Sequence, residues 1–114
     1  ATTEALLLGV KAGVDLETLR QSLVGSPCKS LLLERDMMGM LSEGDYDEGF
    51  AVALACKDLR LAGDLARSVG VPMEVGATVE NIYRRARARY GDKAGEMIPA
   101  KMYEDDTNTL LRFK

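Results

Sequence analysis

The sequence predicts an all-α fold, a compact bundle of about six helices. Apolar residues recur at helical spacing, as Leu16, Leu19 and Leu23 do at i, i+3 and i+7. Glycine, proline and capping residues divide the chain into segments with short connections. No segment carries a convincing strand pattern.

The first helix reads from the opening residues, Thr2-Thr3-Glu4-Ala5-Leu6-Leu7-Leu8, and runs to about Ala12 before Gly13 stops it. Asp15 caps the second helix and Gly25 ends it. Ser26-Pro27 opens a third, with serine as cap and proline at the first helical position, where its missing N–H costs nothing. Leu31, Leu32, Glu34, Arg35 and Met38 carry it to about Gly39. Leu41 to Gly49 is a loop rich in acids and glycine. Phe50 to Val69 forms a long fourth helix closed by Gly70, and Val71-Pro72 breaks the chain before a fifth, roughly Met73 to Tyr90. Gly91 ends that one. Asp92 is the candidate cap of a sixth, through Met97 to about Asp106, which Pro99 should kink or shorten. The tail from Thr107 to Lys114 has no readable pattern.

The 114 residues suffice for one domain, and the 46% apolar and 29% charged fractions are those of an ordinary soluble protein. A net charge of −3 runs against the basic excess of a nucleic-acid binder. There is no histidine, which removes His-based triads, the common zinc constellations and the usual neutral-pH proton shuttle. Neither GxGxxG nor GxxxxGK[ST] occurs. No apolar run approaches the roughly 20 residues of a membrane-spanning helix, and no signal layout opens the chain. Cys28 and Cys56 form no metal-type spacing and read as small buried hydrophobes. Their scarcity fits a reducing, cytoplasmic setting. Opening on Ala1 in mid-helix, the sequence reads as a piece of a longer polypeptide, although a trimmed product would look the same.

The fourth helix holds the candidate chemistry. At about 100° per residue, Leu54, Leu61 and Leu65 fall within about 60° of Phe50 and form an apolar arc. Asp58 falls inside that arc, where a buried carboxylate requires a partner. Lys57 lies at the edge of the polar arc, near Arg60, Asp64 and Ser68. On pattern alone two readings stand: a structural hydrogen bond for Asp58 beside a solvated Lys57, or an acid–base pair lining a binding site. Elsewhere the bland readings are favoured. Arg84, Arg85, Arg87 and Arg89 read as a solvated face near a helix C-terminus rather than an anion or RNA patch. Met37, Met38 and Met40 read as core filling. The acidic loop Glu43 to Glu48 lacks the spacing of an EF-hand, so no metal site is assigned.

Gly44-Asp45-Tyr46-Asp47-Glu48-Gly49-Phe50-Ala51, followed by Lys57-Asp58-Leu59-Arg60-Leu61-Ala62, resembles the signature of the 3-hydroxyisobutyrate dehydrogenase (β-hydroxyacid dehydrogenase) family. Glu4-Ala5 and Ala12-Gly13-Val14-Asp15 before it, and Gly70-Val71-Pro72 after it, match in order, so the likeness runs from Glu4 to about Tyr90. The resemblance implies that residues 1–114 are the helical C-terminal domain seen in 6-phosphogluconate and 3-hydroxyisobutyrate dehydrogenases, a substrate-binding and dimerisation domain. Its implied parent is a two-domain enzyme that oxidises a 3-hydroxy acid, or reduces the semialdehyde, with NAD or NADP held mainly by an N-terminal Rossmann domain. It further implies that Lys57 reaches the cofactor, that Phe50 lines the substrate pocket two helical turns from Lys57 on the same face, and that Asp58 orients the lysine or the substrate. The family's catalytic lysine belongs to a lysine–asparagine segment that would lie upstream of Ala1, so this piece alone is expected to be inactive. The implied partners are a small hydroxy acid and a second copy of the chain, with no nucleic acid and no membrane. The rival reading is a helical interaction module without an enzymatic parent.

Overall fold

Six α-helices and one π-helical turn make up the computed structural model, which describes residues 1–114. The fold is all-α. Helix α1 (Thr2–Lys11) buries Leu6 and Leu7. Helix α2 (Leu16–Val24) starts at Asp15, whose carboxylate accepts from the Thr18 backbone N–H at 3.0 Å and its hydroxyl at 3.1 Å. These bonds favour the ionised form and hold Asp15 below the usual carboxylate range.

The third helix differs from its sequence reading. The Ser26 hydroxyl donates to the Leu23 carbonyl at 2.7 Å and accepts from the Cys28 N–H at 3.1 Å, closing a turn instead of opening a helix. Ser30 takes over as cap, its hydroxyl oxygen accepting from the Leu33 N–H at 3.2 Å. A π-helical turn follows over Leu32–Asp36, then α3 over Met38–Glu43. Cys28 therefore lies exposed in a turn, while Cys56 is buried as expected. Met37 and Met40 do fill the core.

Helix α4 (Val52–Val69) ends at Gly70, which has φ 73°. The Val71 N–H reaches back to the Ala66 carbonyl at 2.9 Å, a Schellman closure that only a residue tolerant of positive φ completes easily. Helix α5 spans Glu74–Tyr90, and α6 spans Ile98–Thr107. Asp92 does not cap α6: its carboxylate accepts from Arg87 at 2.8 and 3.1 Å. Pro99 falls at the second residue of α6, where it starts the helix rather than kinking it.

The chain divides into two units, Ala1–Tyr46 with Ala100–Lys114, and Asp47–Pro99. The first has a core of large side chains, among them Leu6, Leu33, Met37, Met40, Leu41, Met102 and Leu111. Leu111 belongs to the tail that the sequence left unread. The second buries mostly smaller ones, including Val52, Ala55, Cys56, Ala66 and Ala86, where α4 packs on α5.

Candidate functional site

Phe50, Lys57 and Asp58 all belong to the second unit. Helix α4 begins at Val52 with no side-chain cap, since its N-cap is Ala51. The segment 92–96 supplies what a capping side chain would: the Val52 N–H donates to the Ala94 carbonyl at 2.7 Å and the Ala53 N–H to the Asp92 carbonyl at 3.4 Å. The Phe50 carbonyl accepts from the Glu96 N–H at 2.9 Å, and Ala51 pairs with Gly95 in an antiparallel bridge. Phe50 is therefore a half-buried residue in an extended lead-in, not part of the helix. The two-turn, same-face relation to Lys57 does not apply, because the backbone is not helical at Phe50.

The apolar arc is also corrected. Helix α4 packs against α5 with Val52, Ala55, Cys56 and Ala66, on the side opposite the predicted arc. Leu54, Leu61 and Leu65 are 43%, 50% and 63% exposed. Small side chains let two helices approach closely, so the face with less bulk is the one that became core. Asp58 is consequently exposed, and so is Lys57. Neither is engaged by a side-chain hydrogen bond or ion pair. The buried, partnered carboxylate allowed by the pattern is not what the structure contains. Two free charges of opposite sign instead stand on the second turn of α4, flanked by uncovered leucines.

On the packed side, burial pushes the Cys56 thiol up, against the opposing pull of Arg87 and Arg84, so this cysteine is suited to packing and not to nucleophilic chemistry. Arg87 holds Asp92 below the usual carboxylate range. Arg89 lies over the Tyr90 ring at 5.4 Å, so the arginines of α5 do not act as one patch. A groove of about 320 Å³ lined by Leu59, Gly63, Arg67, Pro72, Met73 and Glu80 includes neither Lys57 nor Asp58. No helix is long and apolar enough to cross a membrane.

Residues 1–103 match the family model described as the NAD-binding domain of NADP-dependent 3-hydroxyisobutyrate dehydrogenase. The chain belongs to the 3-hydroxyisobutyrate dehydrogenase family. It is similar to 2-(hydroxymethyl)glutarate dehydrogenase of Eubacterium barkeri, with 36% identity over 95% of this chain and 36% of that protein. It is similar also to 2-hydroxy-3-oxopropionate reductase of Escherichia coli, with 33% identity over 82% of this chain and 32% of the relative. Among solved structures, 3-hydroxyisobutyrate dehydrogenase of Salmonella typhimurium matches with a TM-score of 0.77 and 26% identity, over 88% of this chain and 35% of that one. The chain thus spans about a third of the length of the curated relatives it matches.

The sequence reading missed the 92–96 clip, which rests on backbone bonds to residues some forty positions away and leaves no local mark. It also missed the tail and its partner Glu104, the one charged residue in the core. A glutamate on the inner face of α6 was the available signal.

Proposed function

We propose that this chain is the helical substrate-binding and dimerisation domain of an NAD(P)-dependent 3-hydroxyacid dehydrogenase. The observation that carries the reading is the outer face of α4, where Lys57 and Asp58 stand free among Leu54 and Leu61. A unit that buries alanines and exposes leucines presents a surface suited to being covered by another protein body. In the parent enzyme that body is the dinucleotide-binding domain, a second copy of the chain, or both over different stretches.

The residues present fit the cofactor. Lys57 offers an uncommitted ammonium, suited as a point charge to the hydroxyls and phosphates of a dinucleotide. Asp58, its immediate neighbour, orients that ammonium or a substrate hydroxyl, and Phe50 provides an apolar wall. The hydride acceptor of the oxidation is supplied by bound NAD(P)+, and the acceptor of the hydroxyl proton by the lysine segment that family resemblance places outside these residues. This chain then holds and orients but does not transfer the proton.

Lys57→Ala in the complete polypeptide tests the assignment. Loss of a charge-assisted contact is worth about 1.5–3 kcal/mol, so KM for NAD(P) should rise about 10- to 100-fold, with a smaller change in kcat. Because Lys57 is exposed, the melting temperature should hold. Unchanged kinetic constants would count against the reading. The rival interaction module would lack both a lysine–asparagine segment and a strand–GxGxxG–helix pattern in the coding sequence immediately upstream.

A further inference from the structure

We propose that residues 109–113 form a strap that closes on the start of the signature segment, fastened by buried Glu104 with half-buried Tyr46 and Arg112. The proposal does not depend on the enzymatic reading. Glu104 is only 1% exposed, and a carboxylate so placed requires donors. It has them: one oxygen accepts from the Tyr46 hydroxyl, and the other from the Leu111 N–H at 2.6 Å. Arg112 donates to the Tyr46 hydroxyl at 3.2 Å, to the Leu111 carbonyl at 2.8 Å and to the Met40 carbonyl. The Phe113 N–H donates to the Leu41 carbonyl at 2.9 Å.

Met40 and Leu41 lie toward the end of α3; the Met40 carbonyl accepts from the Gly44 N–H at 3.0 Å as well as from Arg112, and the Leu41 carbonyl takes its donor from the Phe113 N–H. The strap therefore caps α3 from sixty and more residues away. Gly44 is shaped for it twice over. It sits at φ +76°, and a Cβ there would stand 2.9 Å from the Arg112 guanidinium. The Tyr46 ring also has Lys101 Nζ and Arg112 Cζ each 5.9 Å from its centroid. Burial, and then the Glu104 hydrogen bond, push the Tyr46 hydroxyl up, so it remains a donor at neutral pH.

These links are coupled. Deleting the Tyr46 hydroxyl leaves one Glu104 oxygen buried without a donor, which weakens the same carboxylate's hold on Leu111. The strap, the end of α3 and Gly44–Tyr46 then open and close as a unit. Tyr46 is the last residue of its unit before the chain continues toward Phe50 and Lys57.

Hydrogen exchange on the whole 114-residue chain tests this, comparing the unsubstituted protein with Tyr46→Phe and Arg112→Ala. Both substitutions should speed exchange at Gly44, Asp45, Leu111 and Phe113 together, by about tenfold or more, while amides of α2 keep their protection. Faster exchange at Leu111 alone, or at none of the four, overturns the strap. So does a uniform rise across α2 and the cluster, or loss of the fold on removing the hydroxyl, since the cluster would then be an ordinary part of the core.

Discussion

At the scale of single residues, charge placement separates function from stability. Asp58 is exposed and without a partner, so Asp58→Asn should change unfolding free energy by no more than about 0.5 kcal/mol in urea titration. A loss of several kcal/mol would restore the buried carboxylate that the helical wheel suggested. Asp15 is the opposite case, a carboxylate whose ionised form is used by the fold. Its folded-state pKa is depressed by the bonds from Thr18, so its contribution is present above the unfolded carboxylate's titration range. That contribution is lost as pH falls through the folded value. Asp15→Ala should therefore lower the melting temperature clearly at pH 7 and progressively less as pH drops below about 4. An equal deficit across that range would contradict the assignment.

At the scale of elements, α4 carries two apolar faces, and only one is used within this chain. Replacing Leu61 or Leu65 by Lys on the open face should cost no more than about 0.5 kcal/mol each in the isolated chain at concentrations low enough to keep it monomeric. Leu33→Ala, at a residue 2% exposed, should cost about 2–5 kcal/mol by the same denaturation. The two faces also explain what the sequence made legible. Helix ends at Gly13, Gly25, Gly70 and Gly91 were readable because capping is decided by a few neighbouring residues. The core side of α4 was not, because a bulk-weighted wheel selects the leucines, while close packing on α5 selects Ala55, Cys56 and Ala66. The start of α6 was misplaced for a related reason. Asp92 and Ala94 have their carbonyls committed to α4, a bond no local pattern announces. The Ser26 hydroxyl is committed to a turn with Leu23 and Cys28, so the capping oxygen for the Leu33 N–H comes from Ser30 instead.

At the scale of the molecule, the candidate site rests on family resemblance rather than on pattern, which makes Lys57 unremarkable. The structure adds that Lys57 is exposed, and corrects Phe50 from a helical to an extended position. The exposed leucines should also drive self-association, so the isolated chain is expected to sediment as a dimer or larger oligomer at high concentration, and Leu61→Lys with Leu65→Lys to shift it toward monomer. A chain that sediments as a monomer at every concentration would remove the dimerisation role. We propose that this chain forms one wall of a dehydrogenase site and leaves proton transfer to residues outside it. Turnover of a panel of 3-hydroxy acids with NAD+ and NADP+, followed by the appearance of reduced cofactor, tests it most directly when the chain and the complete polypeptide are run side by side. The expected result is turnover by the complete polypeptide and none above background by the chain. Turnover by the chain alone, or none by the complete polypeptide with any acid of the panel, would overturn that division of roles.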